Sequence, residues 1–158
     1  MIKYFCGIDC SSSAIHISIL KANSEIKLLE KFSDTTKDSD IRFNLICKQF
    51  GEFIKSEPGI FDDAICIIEN PVFVQNVRST SLITHTIAGV KVKLFEQNFK
   101  FWGVDVRHWK AQILGNGNST KEEIMRFSSI KWGDIFKEQD WADAACIALC
   151  GIQKFGIK

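Results

Sequence analysis

The sequence predicts an α/β fold: a mixed five-stranded sheet, three antiparallel strands and then parallel ones, flanked by helices. Three observations lead there. Residues 3–32 carry three strand-like segments joined by short links. A stretch of helical periodicity follows, and after it comes a short, wholly apolar run of the kind found in strands buried on both faces. Antiparallel strands followed by helix–strand alternation give a mixed sheet with helices packed on it.

The strands read as Lys3 to Asp9, Ala14 to Lys21 and Glu25 to Phe32. In the second, Ile15, Ile17 and Ile19 alternate with His16, Ser18 and Leu20, which is period two. The links Cys10-Ser11-Ser12-Ser13 and Ala22-Asn23-Ser24 are too short for a parallel crossover and favour a meander. From Ile41 to Lys55, the residues Ile41, Leu45, Ile46, Phe50, Phe53 and Ile54 recur at helical spacing. Glu57-Pro58-Gly59 breaks that helix, and Ala64 to Ile68 is a buried strand parallel to the first. A helix from Val74 to Ala88, a strand from Lys91 to Phe95 and helices starting near Asp105, Ser119 and Gln139 complete the expectation. Ser119-Thr120-Lys121-Glu122-Glu123 offers a capping box in two registers, Ser119 with Glu122 or Thr120 with Glu123.

Composition narrows the class. Residues 1–158 are expected to form one domain, with 46% hydrophobic and 25% charged residues, ordinary values for a soluble protein. No apolar run approaches the ~18 residues of a membrane span. Asp9 interrupts the N-terminal apolar stretch, so no signal-peptide pattern forms and a cytoplasmic location is expected. Six cysteines lack any CxxC pair and mostly sit among apolar residues, as reduced core thiols do. The three histidines show no metal-ligand spacing. Net charge is only +1, but residues 74–121 hold seven Lys/Arg (78, 91, 93, 100, 107, 110, 121) against two acids (96, 105), which leaves −4 elsewhere. A basic segment beside an acidic remainder suits a polyanionic substrate.

Four acids stand where they can be aimed. Asp9 and Glu69 each end a hydrophobic run, and Asp140 and Asp143 open an apolar, small-residue segment at i, i+3, one helical face. Carboxylates so placed repel one another unless cations lie among them, which points to hard divalent ions and metal-assisted phosphodiester chemistry. Singly, each acid has a plainer account as a turn former or a helix-dipole partner. Their order along the chain is what distinguishes them.

That order resembles a known family. Gly7-Ile8-Asp9, Ile68-Glu69 with Phe73 beyond it, Lys110-Ala111-Gln112-Ile113-Leu114-Gly115-Asn116-Gly117-Asn118-Ser119-Thr120-Lys121 and Asp140-Trp141-Ala142-Asp143-Ala144 resemble the RuvC-type Holliday-junction resolvases of the RNase H-like superfamily. The resemblance implies an RNase H-like fold and a homodimer that makes paired nicks in four-way DNA junctions. It implies a metal set of Asp9, Glu69, Asp140 and Asp143 holding two Mg²⁺ ions, with Mn²⁺ as a substitute, and catalytic lysines at Lys110 and Lys121. It further implies DNA contacts from Phe73, Lys110 and Lys121, which Arg78 and Arg107 of the basic segment are expected to join, and neither a nucleotide cofactor nor a membrane partner. The chain departs from the family where Cys10-Ser11-Ser12-Ser13 replaces a Gly-containing turn and where Asn70-Pro71 alters the spacing to Phe73. Its compact length suits a phage or viral member acting in the host-cell cytoplasm. Two other readings share parts of the pattern. One is an RNase H-like nuclease for other branched DNA or RNA–DNA hybrids. The other is an actin-like nucleotide-binding domain, on the likeness of Gly7-Ile8-Asp9-Cys10-Ser11-Ser12-Ser13 to a phosphate loop.

Overall fold

The computed structural model describes residues 1–71 and 76–156. Its sheet has the strand order β3-β2-β1-β4-β5, with β1 Tyr4–Cys10, β2 Ala14–Lys21, β3 Ile26–Ser33, β4 Ala64–Glu69 and β5 Lys100–Val104. The first three form the expected antiparallel meander. β4 joins β1 in parallel, and β5 joins β4 in parallel. The helices are α1 Ser39–Ser56, α2 Pro58–Phe61, α3 Val77–Glu96, α4 Val106–Leu114, α5 Lys121–Trp132 and α6 Gln139–Phe155.

Period two along the strands sorts the side chains into two cores. Cys6, Ile8, Ile15, Ile17, Ile19, Cys66 and Ile68 point to the face covered by α1 and α3, where Phe50, Ile87 and Leu94 meet them. Phe5, Leu20, Ile65 and Ile67 point to the other face, against Trp109 of α4, Ile124 of α5 and Ala145, Ile147 and Ala148 of α6. By the same alternation Asp9, Glu69 and His16 project toward the α4–α6 side. Helix α6 lies very close to the sheet. A Cβ on Gly7 would run into the backbone carbonyl of Ala144 and the amide of Ala148, so only a glycine permits this approach.

One expected element is corrected. Lys91 to Phe95 is not a strand but the last turns of α3, which runs on to Glu96. Its alternation is a sampling of helical spacing: Ile87, Val90 and Leu94 are buried at i, i+3, i+7 while Val92 and Phe95 are exposed. Asn98, at φ 58°, turns the chain, and the fifth strand forms at Lys100–Val104 instead. Helix α3 is described from Val77, capped by the Asn76 side chain, and the expected start at Val74 lies outside the described residues. All six cysteines are free thiols, as expected.

Candidate active site

Register places the first two acids side by side. The parallel pairing of β1 with β4 ends at Ile8 opposite Ile68, so Asp9 and Glu69 follow at the adjacent carboxyl ends of the two central strands. Ligand sites in open α/β sheets gather at such ends. The first turn of α6 brings Asp140 and Asp143 to the same place, and carboxylate oxygens of Asp9, Asp140 and Asp143 lie within 4.8 Å of one another. Glu69 stands outside that set. Its Oε2 accepts a 2.6 Å hydrogen bond from Nε1 of the buried Trp109.

The carboxyls make one another costly to ionise. Burial pushes Asp9 well above its usual range, and the charges of Glu69, Asp143 and Asp140 push the same way, opposed by Lys121. Glu69 is raised by burial and by Asp143, with the Trp109 hydrogen bond and Lys110 holding it down. Asp143 is pushed up to about 6, chiefly by burial, while a hydrogen bond from Gln139 and the charges of Lys110 and Lys121 oppose the rise. Its Oδ1 is buried and accepts no hydrogen bond among the described residues. A carboxylate oxygen buried without a donor is expensive unless a cation satisfies it.

The two lysines differ in how they are held. Lys110 Nζ donates to the carbonyl of Ser119 at 3.0 Å and lies 5.7 Å from the Trp109 ring centre, tying α4 to the start of α5. Lys121 is exposed at the first position of α5. That helix uses the Thr120–Glu123 register of the capping box: Thr120 Oγ1 accepts from the Glu123 amide and Glu123 Oε2 from the Thr120 amide. With Glu122 and Glu123 already facing the amide end, the α5 N-terminus is not an open phosphate cradle. Arg78 and Arg107 are exposed in the first turns of α3 and α4. Phe73 lies outside the described residues.

Residues that sequence reasoning passed over pin the acidic end of α6. Glu138, the residue preceding that helix, makes no cap bond with its side chain. It accepts instead from Lys31 Nζ at 2.9 and 2.8 Å through its two oxygens, and from His16 Nε2 at 2.9 Å. These partners hold its carboxyl below the usual range. Ser18 Oγ donates to the Trp141 carbonyl at 2.7 Å, and Trp141 Nε1 donates to the Glu30 carbonyl at 2.9 Å. Asp9 pairs directly across the hairpin with His16. The short link after β1 was the signal that could have found this histidine, because a meander puts His16 beside Asp9.

A five-stranded mixed sheet, three strands antiparallel and two parallel, flanked by helices, matches the RuvC, RNase H-like fold. No protein-family model matches the chain. It is 27% identical over 149 residues to the crossover junction endodeoxyribonuclease RuvC of Brachyspira hyodysenteriae, covering 90% of this chain and 89% of that protein. To the RuvC of Finegoldia magna it is 27% identical over 159 residues, covering 96% and 93%. Thermus thermophilus RuvC, solved in complex with a Holliday junction substrate, superposes with a TM-score of 0.78 at 18% identity, over 94% of this chain and 92% of that one. The chain is therefore similar to RuvC-type resolvases in sequence and fold along nearly its whole length.

Proposed function

We propose that this chain is a structure-selective endonuclease that cuts four-way DNA junctions, with Asp9, Glu69, Asp140 and Asp143 as the metal-binding set. The observation that carries the proposal is the convergence of two strand-end acids with two acids of one helical face, inside a chain similar to RuvC along its length. The donors fit a hard divalent cation: they are carboxylate oxygens, they raise one another's proton affinity, and one of them lacks a hydrogen-bond donor. Two Mg²⁺ ions, with Mn²⁺ as a substitute, are the proposed occupants. Bound there, they would supply activation of water and stabilisation of charge on the leaving 3′-oxygen.

The chain's own residues do the rest. Trp109 orients Glu69 and keeps its proton affinity from rising further. Lys110 and Lys121 offset the acidic charge and stand ready for the charge that grows on the phosphate during cleavage. Phe73, Arg78 and Arg107 remain proposed DNA contacts. One such site makes one incision, so a homodimer with two-fold symmetry would supply the paired nicks that resolve a junction. Val92 and Phe95 on α3 and Ile41 and Leu45 on α1, all exposed, offer apolar surface for that interface. The Ser11 hydroxyl accepts from the Ser13 and Ala14 amides, closing the β1–β2 turn on itself rather than leaving it open as a phosphate loop.

The deciding experiment incubates the protein with labelled four-way junction, RNA–DNA hybrid, flap and linear duplex, with and without Mg²⁺. Junctions should be cut fastest, only with the metal, and not by Asp9→Asn. Faster cutting of hybrids or flaps would transfer the reading to another RNase H-like nuclease. Wild-type rates from Asp9→Asn would remove the assigned metal set.

A further inference from the structure

His16 is 2% exposed, yet its two ring nitrogens face two different carboxylates. Nε2 lies 2.9 Å from Glu138 Oε2, and Nδ1 lies 3.6 Å from Asp140 Oδ2. The second distance is too long for a hydrogen bond, and Nδ1 makes none among the described residues. Glu138 is held through both oxygens by Lys31. With both oxygens accepting from Lys31, Glu138 faces His16 as an acceptor and Nε2 is the donor of that hydrogen bond. In the neutral ring Nδ1 then carries a lone pair aimed at Asp140. A lone pair facing a carboxylate in a buried place is unfavourable unless a metal ion or a proton lies between them.

Resting on the metal-site reading above, we propose that His16 is a further metal ligand of this centre, binding through Nδ1 beside Asp140, with Glu138 and Lys31 fixing its ring. Metal-bound histidines commonly donate their other N–H to a carboxylate, which sets the tautomer and raises ligand basicity. Two donors on one ion at ordinary bond lengths stand roughly 3–4 Å apart, and Nδ1 and Asp140 Oδ2 are at 3.6 Å. Glu138 is not itself a ligand of that ion, because it meets the opposite edge of the ring. An imidazole among carboxylates shifts preference from Mg²⁺ toward a borderline first-row ion such as Mn²⁺. His16 reaches the centre from β2, a strand that carries none of the four acids.

The test reads the metal's neighbours directly. Untagged protein loaded with Mn²⁺ is examined by pulsed electron paramagnetic resonance for ¹⁴N coupling, and Mn²⁺ affinity is measured by titration. Wild type should show imidazole coupling. His16→Gln, which keeps a donor toward Glu138 but has no group at the Nδ1 position, should lose the coupling and weaken Mn²⁺ binding by about tenfold or more. If that variant fails to fold, a His85→Gln/His108→Gln double variant decides. These are the only other histidines of the chain, both exposed, so coupling that survives there belongs to His16. Absence of coupling in wild type, or its loss in the double variant, overturns the proposal. Asp9→Asn separates the two readings. Mn²⁺ binding weakened by Asp9→Asn without nitrogen coupling in wild type leaves the acidic site standing and removes only His16. Mn²⁺ binding unchanged by both Asp9→Asn and His16→Gln removes the acidic site as well.

Discussion

Replacing Asp143 by Asn should make the metal-free protein more stable while abolishing cleavage. Asp143 sits at about 6 instead of its ordinary 3.8, mainly because burial disfavours the charged form. A group whose folded pKa is raised binds more protons folded than unfolded, so its contribution to stability falls as pH rises from about 4 and levels off above about 6. A shift of roughly two units corresponds to about 3 kcal/mol against the fold at pH 7.5 and about half that at pH 5. Asn carries no charge and keeps the shape. In the presence of a chelator, Asp143→Asn should therefore melt higher at pH 7.5 by roughly 5–10 °C, with a clearly smaller gain at pH 5. Saturating Mg²⁺ should shrink or invert the difference, since an ion bound only to the folded wild type stabilises it. Thermal melts by circular dichroism at the two pH values, each with chelator or Mg²⁺, are the assay. A gain independent of pH, or no gain at pH 7.5, would refute the reasoning that Asp143 is a charge held against its preference.

Gly7→Ala should destabilise the protein by about 1–3 kcal/mol and slow junction cleavage. The added methyl meets the Ala144 and Ala148 backbone and must push α6, with neighbouring Asp143, off the sheet; melting temperature and single-turnover rate report the two effects. Trp109→Phe removes the donor to Glu69 from a buried position, which should cost about 1.5–3 kcal/mol and move the acid limb of the cleavage–pH profile upward, because that hydrogen bond holds the Glu69 pKa down. Lys110→Ala should lose both turnover and roughly 1 kcal/mol of stability, since it also ties α4 to Ser119. Lys121→Ala, exposed, should leave the melt unchanged and lower either turnover alone or affinity together with a salt slope of about one counterion.

The parts of the fold that rest on simple periods were legible in the sequence. The β1–β2–β3 meander and the buried run of β4 follow from period-two alternation and link length, whereas the register that sets Asp9 beside Glu69 came from the structure. Lys91 to Phe95 misled because five residues with two successive charged–apolar pairs fit a strand as well as the end of an amphipathic helix. Only the buried partners of Val90 and Leu94, distant in sequence, decide between them. The acids were legible as strand ends and a helical pair. Trp109, Lys31 and Glu138 were not, because their roles are pairwise contacts across 40 and 107 positions of chain that no local pattern encodes. His16 lay between these cases: its face was readable from alternation, whereas its two carboxylate neighbours came from α6.

The order of assembly along the chain carries a consequence for synthesis. Of the elements described, α6 is the last made, and it contributes both Asp140 and Asp143 and the lid over Phe5, Leu20, Ile65 and Ile67. A chain still emerging from the ribosome can pair β1 with β2 and β4, but before α6 appears it holds only the two strand-end acids and leaves exposed the part of the sheet that α6 covers. Translation at about 5–20 residues per second leaves that intermediate alive for seconds. During that interval it is sticky and lacks two of the four proposed metal ligands, so the proposed nuclease would gain its cutting ability in the same step that buries this side of the sheet.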